Sequence, residues 1–133
     1  MMQYYATFTP DGAGWLVTFR DLPEAITGGK TEAEAIDNAR DALEIVLLMY
    51  ADEGQPLPQA SAALPGDRAI FASASVVAKV AFIETFRSSG QSRVALARRL
   101  GMLDPHHNSK LPALEAGLKA LGRRLVVSVQ DAA

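Results

Sequence analysis

Two stretches near the start of the chain alternate between apolar and polar positions, and this period of two residues predicts β-strands. The first covers residues 3–9 and the second residues 15–20, with a dense turn signal, PDGAG, between them. The two stretches therefore predict an antiparallel hairpin. A short third strand is expected over residues 25–27, after which Gly28 and Gly29 turn the chain.

Thr31 and Glu34 have the spacing of a capping box, which predicts that a helix begins here. The apolar residues that follow recur at intervals of three and four, as in a helix with one face against a sheet. Gly54 is expected to end this helix. Residues 55–68 contain three prolines and predict a surface connection, and residues 69–72 predict a fourth strand. Together these elements give a β-β-β-α-β sheet domain.

The rest of the chain predicts a small helical module. An apolar stripe at helical spacing covers residues 76–86, and a second helix is expected over residues 92–100. Leucines spaced by three and four then predict a third helix, capped by Asn108 or Ser109 and ended by Gly122. The fold class expected from the whole pattern is α+β.

Leu125, Val127 and Val129 alternate with their neighbours and predict a strand at the end of the chain. The helical module offers this strand no neighbour, and an unpaired strand leaves its backbone N–H and C=O groups without partners. We therefore expect these three residues to pair with the same strand of a second copy. The expected assembly is a homodimer or a dimer of dimers.

The composition excludes several classes of protein. A chain of 133 residues buries about two-thirds of its surface on folding, which supports a sizeable core. The absence of cysteine excludes disulfides, a thiolate nucleophile and a cysteine-based zinc site. The longest apolar run, residues 45–51, is far shorter than the ~20 residues of a membrane span. We therefore expect a soluble, cytoplasmic protein that does not contact a membrane.

Charge is divided unevenly along the chain. Residues 1–73 hold eleven acidic and four basic side chains, a net charge of −7, whereas residues 74–133 hold nine basic and four acidic ones, a net charge of +5. This division predicts two domains with different partners, the first facing a basic partner and the second facing nucleic acid. The alternative interpretation is that both halves simply carry solvated helix charges.

Signatures of catalysis are sparse, so we expect a protein that is not an enzyme and needs no cofactor. There is no G-x-S-x-G motif, and His106 and His107 lie side by side without an acidic or thiol residue at a metal-supporting spacing. Gly28 and Gly29 precede a helix but lack the rest of a phosphate-binding motif. The carboxylates of the first half are expected on turns and on the helix, whereas a metal-dependent nuclease needs carboxylates that converge from strands.

The segment SRVALARRLGM, residues 92–102, has the pattern of the first helix and turn of a helix-turn-helix. Its arginines are expected to face outward, where they can contact phosphates. Unrelated helical bundles share this pattern, so it does not identify a DNA-binding module without other support.

Two pairs of segments resemble the HicB antitoxin family. GWLVTFRDLP and TGGKTEAEAIDNARDAL, within residues 14–43, resemble its N-terminal domain, and ALARRLGM with SKLPALEAGLKALGRRLVVSV resembles its Cro-like C-terminal module. The resemblance implies a partial RNase H-like first domain, residues 1–73, and a helix-turn-helix-like second module, residues 74–133. It also implies an antitoxin that masks a small basic mRNA-cleaving toxin, HicA, and that represses its own operon at operator DNA.

One departure from the family bears on DNA recognition. A turn and a two-turn recognition helix need roughly ten or eleven residues, but only eight separate Leu100 from Ser109, and Pro105 is among them. We therefore expect a truncated recognition helix, with Pro105 opening at most one short turn toward the groove.

The candidate site residues follow from these expectations. Toxin contacts are expected at the hairpin and third-strand edges, at Trp15, Phe19, Asp21 and Glu24. DNA contacts are expected at Arg93, Arg98, Arg99, His106, His107, Asn108 and Lys110. Two alternatives stay open: a DNA-binding transcriptional regulator whose first domain senses a small ligand, and an RNase H-like nuclease.

Overall fold

The structure is a computed structural model that describes residues 2–92, 110–129 and 131. Over these residues the protein is α+β, with a four-stranded antiparallel sheet and three helices. The chain divides into two compact units, residues 1–77 and residues 78–133. None of the helices in the described part of the chain is long and apolar enough to cross a membrane.

The strands are β1 (Gln3–Asp11), β2 (Gly14–Phe19), β3 (Ile26–Gly29) and β4 (Arg68–Phe71), and the helices are α1 (Glu32–Glu53), α2 (Ala74–Ser89) and α3 (Leu111–Ala120). The strand order in the sheet is β3-β2-β1-β4, and all neighbours are antiparallel. The predicted hairpin is confirmed, with Ala6 opposite Phe19 and Phe8 opposite Val17. β4 pairs with the other side of β1, as Tyr4 lies opposite Ile70.

The core of the first unit lies between one face of the sheet and α1. Alternation along β1 and β2 puts Tyr4, Ala6, Val17 and Phe19 on the buried face, as the sequence pattern predicts. α1 contributes alanines and larger apolar residues to the same core: Ala35, Ala39, Leu43, Val46, Leu47 and Ala51. A fully buried Leu or Val side chain stabilises the fold by about 1.5–3 kcal/mol, so this interface holds the helix on the sheet.

Both predicted ends of α1 are confirmed. Thr31 has extended backbone angles, and its side-chain oxygen accepts the N–H of Glu34 at 3.1 Å. Gly54 follows the helix with φ 71°, a left-handed conformation that glycine adopts without a Cβ clash. Its N–H donates to the carbonyl of Ala51, so the last turn does not leave this acceptor unpaired.

The prediction that Gly28 and Gly29 turn the chain is wrong. Both glycines lie within β3, opposite Leu16 and Trp15 of β2. They are required because neighbouring backbone approaches closely. A Cβ on Gly28 would lie 2.5 Å from the carbonyl oxygen of Trp15. The strand therefore continues through two residues that usually signal a turn.

The second unit has a separate apolar cluster. Ala78, Phe82 and Phe86 of α2 pack with Leu114 and Leu118 of α3. The rings of Phe82 and Phe86 are stacked, with centroids 6.4 Å apart. The helix predicted over residues 76–86 is confirmed as part of α2, and the expected helix over residues 92–100 lies outside the described residues apart from Ser92.

The start of α3 differs from the prediction of a cap at Asn108 or Ser109. Lys110 is the N-cap, with extended backbone and no side-chain capping bond. Its carbonyl accepts the N–H groups of Ala113 and Leu114, at 3.0 and 3.1 Å. A cap at residue 108 would require a helical N–H from Pro112, which proline lacks. Pro112 therefore lies in the first turn, as expected.

The end of the chain forms no strand pairing over residues 123–129 in the isolated chain. Leu125 packs against the apolar cluster of the second unit, whereas Val126, Val127 and Val129 are exposed. Pairing of this segment with a second copy stays a prediction.

Candidate functional site

An exposed apolar surface lies on the face of the sheet opposite α1. Residues paired across antiparallel strands point to the same side, and Thr18 of β2 lies opposite Ile26 of β3. Ile26 is 62% exposed, and Leu16, two residues before Thr18, is also exposed. We call Leu16, Thr18 and Ile26 the β2–β3 patch. Large apolar side chains held outward on a rigid sheet are typical of protein contact surfaces.

β3 forms one edge of the sheet, and a side chain of α1 covers part of that edge. The Asn38 side-chain amide donates to the carbonyl of Gly28 at 2.8 Å. An uncovered edge strand offers its N–H and C=O groups to any other strand, so this bond reduces the capacity of β3 for non-specific pairing.

Trp15 and Phe19, both predicted as toxin contacts, have different environments in β2. Trp15 is half-buried and lies opposite Pro10, near the hairpin turn. Phe19 is 2% exposed and belongs to the core under α1. Trp15 therefore keeps surface available to a partner, whereas Phe19 fixes β2 from behind.

Asp21, another predicted toxin contact, ties β2 to the proline-containing connection. Its carboxylate accepts the Ser61 hydroxyl at 2.5 Å and the Ser61 N–H at 2.8 Å. The Ser61 hydroxyl is the main cause that lowers the pKa of Asp21, and the Ser61 N–H and the Arg20 charge act in the same direction against partial desolvation.

Glu24, the fourth predicted contact, ties the β2–β3 connection to α1. Its two carboxylate oxygens accept the Tyr50 hydroxyl at 2.6 and 2.9 Å. This hydrogen bond raises the pKa of Tyr50, because a phenolate beside a carboxylate would lose the bond and be repelled. Glu24 is exposed, so its carboxylate also contributes negative charge to the surface near Ile26.

Asp67 lies at the centre of a second anchor that sequence reasoning missed. Its side chain is 3% exposed and accepts Arg20 Nη1 at 2.6 Å, the Leu64 N–H at 2.8 Å and the Thr7 hydroxyl at 3.1 Å. The Leu64 N–H is the main cause that lowers the pKa of Asp67, followed by Arg20 and Thr7, against desolvation. Arg20 also donates to the carbonyl of Ala62 at 2.9 Å.

Apart from Asp67, the acidic side chains of the first unit are exposed or half-buried. Asp37 and Asp41 are exposed on α1, and Ile45 on the same helix is 68% exposed. Glu32 pairs with Arg68, and Glu44 accepts the Ser73 N–H at 2.6 Å. Within the described residues no three histidine, cysteine or carboxylate side chains are grouped to hold a metal ion.

The predicted DNA-binding residues fall mostly in the part of the chain that the structure does not describe. Lys110, at the start of α3, is exposed. Outside the described residues lie Arg93, Arg98, Arg99, His106, His107 and Asn108. The three residues predicted to mediate dimerisation differ in exposure. Leu125 is half-buried against the apolar cluster of the second unit, whereas Val127 and Val129 are exposed.

Comparison with known proteins identifies the family. Residues 3–81 match the family described as the HicB_like antitoxin of bacterial toxin-antitoxin system. Antitoxin HicB of Escherichia coli (strain K12) is 35% identical over 93% of this chain and 96% of its own length. Antitoxin HicB 2 of Photorhabdus laumondii is 34% identical over 93% and 94%, and Antitoxin HicB of Pseudomonas fluorescens is 36% identical over 91% and 88%. The chain therefore belongs to the HicB-like antitoxin family of bacterial toxin–antitoxin systems.

Proposed function

We propose that this antitoxin binds and neutralises a small basic toxin of the HicA type that cleaves mRNA. The observation that carries the proposal is the similarity to proteins named Antitoxin HicB over more than nine-tenths of the chain. The net charge of −7 over residues 1–73 supports it, because an acidic surface attracts a cationic partner. The antitoxin acts by occlusion and catalyses no reaction itself.

The toxin-binding surface in this proposal is the β2–β3 patch. Trp15 is in phase with Val17 and Phe19 along β2, so its side chain lies on the other face of the sheet and could contact a partner only at the edge near the hairpin turn. The apolar side chains of the patch supply the desolvated centre, and the carboxylates of Asp21 and Glu24 supply an acidic rim. Both carboxylates are held by hydrogen bonds, so they lose little conformational freedom when a partner binds. Phe19 takes part only by packing behind β2. The order β-β-β-α-β supports a partial RNase H-like fold for this domain.

Co-expression tests directly whether this antitoxin neutralises a toxin. The small basic protein encoded beside this antitoxin is expressed alone and together with it. Growth arrest by the small protein alone, with rescue and co-purification when both are present, is the expected result. A neighbouring protein that is neither bound nor neutralised would contradict the proposal and favour a regulator that senses a small ligand.

The proposal extends to the second unit, which would dimerise through residues 125–129 and repress its own operon through a helix-turn-helix-like module. Val129 is 95% exposed and Val127 is also exposed, which supports a surface that a second copy covers. A Val127→Asp/Val129→Asp variant is expected to halve the particle mass measured by light scattering. An unchanged mass would exclude this segment as the dimer interface.

A further inference from the structure

An open cleft of about 630 Å³ lies along α3 and the residues that directly follow it. We call it the α3 cleft. Part of its wall is apolar, formed by Pro112, Ala116 and Leu125. The rest carries one carboxylate, Glu115, and three cations, which are Lys119, Arg123 and Arg124. The three cations are exposed, so their side chains reach both the cleft and solvent.

The cleft exists because the chain reverses directly after α3. Gly122 has φ 77°, and this left-handed residue returns the chain alongside the helix it has just left. The reversal is fixed by backbone bonds, since the N–H of Arg123 donates to the carbonyl of Leu118 at 2.8 Å and the N–H of Gly122 to that of Lys119 at 3.0 Å. The basic side chains are therefore not needed as caps for these carbonyls.

The cations of the α3 cleft have no carboxylate partner in the described structure. Arg20 pairs with Asp67 and Arg68 with Glu32, both in the first unit. Glu115 lines the cleft one helical turn before Lys119 but forms no ion pair with it. Among the described residues, the side chains around the cleft therefore carry an excess of two positive charges.

We infer that the α3 cleft binds the phosphate backbone of duplex DNA. Guanidinium groups match phosphate oxygens with paired N–H donors, and apolar walls strengthen the field of nearby charges. The C-terminal end of the α3 dipole opposes an anion with only roughly half an elementary charge, less than the excess of two. The inference rests on the proposed autorepression, which brings duplex DNA to this unit.

A phosphate contact at this place adds affinity without reading sequence. Base recognition was expected from other residues, in the short segment that precedes α3 in the sequence. Loss of the recognition helix would therefore leave this contact intact, and the two contributions can be measured separately.

The test uses the full-length protein and two labelled duplexes, one from the DNA upstream of its own reading frame and one scrambled. Binding is followed by fluorescence anisotropy between about 50 and 200 mM salt. Log K falls as log salt rises, and each lost phosphate contact makes this negative slope shallower by roughly 0.9. Arg123→Gln/Arg124→Gln is expected to make the slope shallower by roughly one to two on both duplexes. Glu115→Gln is expected to tighten binding several-fold.

The matched control is Lys30→Gln/Arg40→Gln, which removes the same charge from exposed positions of the first unit and is expected to leave the slope unchanged. If Arg123→Gln/Arg124→Gln keeps its thermal midpoint and its slopes are unchanged, the α3 cleft does not bind phosphates. That result would leave the proposed autorepression standing. If the wild type binds both duplexes equally and the Arg123→Gln/Arg124→Gln variant has a shallower slope, the protein does not recognise an operator sequence. That result would still support phosphate binding by the α3 cleft. Stronger competition by single-stranded RNA would overturn DNA as the occupant.

Discussion

Gly29 of β3 lies directly against the first turn of α1, and a Cβ on Gly29 would stand 2.5 Å from the backbone nitrogen of Ala35. That atom belongs to the helix backbone, so it cannot rotate away as a flexible side chain could. The contact sets how closely α1 approaches the edge strand. It also explains why the chain has glycine inside a strand.

Gly29→Ala is therefore expected to destabilise the protein by about 1–3 kcal/mol, because either β3 or α1 must shift to admit the methyl group. Urea unfolding followed by circular dichroism measures the change. Lys30→Ala is the neighbouring control at an exposed position and should stay within about 0.5 kcal/mol of the wild type. Equal stability of the two variants would show that the helix accommodates the extra methyl.

Asp67→Asn is expected to lower the free energy of unfolding by about 1–3 kcal/mol. Arg20 and the Leu64 N–H both donate to Oδ2, so an asparagine oxygen at that position keeps both bonds but loses the negative charge that strengthens them. Its NH2 group would replace Oδ1 and face the Thr7 hydroxyl, which would have to accept instead of donate. Amide hydrogen exchange over residues 61–67 should also become faster. Asp11→Asn removes an exposed carboxylate and should change neither quantity; an equal effect of the two substitutions would contradict a special role for Asp67.

The free energy of unfolding is expected to fall in acid because Asp21 and Asp67 become protonated. The pKa values of Asp21 and Asp67 are both lowered from 3.8 in the folded state, so their stabilising contribution is present above that value and is lost as pH falls through the folded pKa values. Unfolding free energy measured from about pH 5 downward should decrease. The Asp21→Asn/Asp67→Asn variant should show a flatter pH profile; an unaltered profile would assign the acid sensitivity to other carboxylates.

Tyr50 provides a spectroscopic test of the bond to Glu24. The pKa of Tyr50 is raised above 10.0, chiefly by that bond, so its phenolate absorbance should appear at higher pH than that of an ordinary tyrosine. Glu24→Gln keeps the shape of the side chain but removes its charge, and is expected to move this titration down toward 10.0. The contribution of Tyr50 is identified by subtracting the Tyr50→Phe titration. A titration unaffected by Glu24→Gln would contradict the assigned cause.

The side of the sheet that binds the toxin can be determined with two matched substitutions. Ile26 and Ile45 have similar exposure, 62% and 68%, but Ile26 lies in the β2–β3 patch and Ile45 on α1. Ile26→Lys is expected to weaken toxin binding at least tenfold, about 1.4 kcal/mol, because a charge replaces an apolar contact opposite a cationic partner. Isothermal titration calorimetry with the co-expressed toxin measures the affinity.

Ile45→Lys serves as the control, since it makes the same chemical change at a similarly exposed position. It should leave the affinity within a few-fold of the wild type, and neither substitution should alter the unfolding midpoint. Loss of binding in Ile45→Lys with full binding in Ile26→Lys would place the toxin on α1 instead.

Local patterns predicted most of the elements correctly because their causes are local. Alternation determines which face of β1 and β2 is buried, and Thr31 and Gly54 define the ends of α1. The predicted hairpin needed only a turn between two alternating stretches. At Lys110, by contrast, the cap has no side-chain bond, so preferences for capping residue types did not predict it. Pro112 excludes a cap at residue 108 but not one at residue 109.

The candidate site was less accessible to sequence reasoning, because its geometry depends on contacts between distant residues. Asp21 and Ser61 are 40 positions apart, and no local signal indicates that they are bonded. A proline-containing stretch beside them predicts an exposed connection, which is correct, but does not show that Asp67 anchors it. The exposure of Ile26 likewise follows from its place on the edge strand, which requires the strand order.

The anchored connection has a consequence for how the protein can be engineered. Residues 55–67 have the composition of a linker, yet Tyr4, Arg20 and Asp21 each bind its backbone or side chains. Its length is therefore part of the architecture, and a peptide tag inserted there would pull several strand ends out of register. The tip of the first hairpin, at Gly12 and Ala13, is exposed, and a Cβ added to Gly12 would contact nothing, so it is a suitable position for a fluorescent or affinity label.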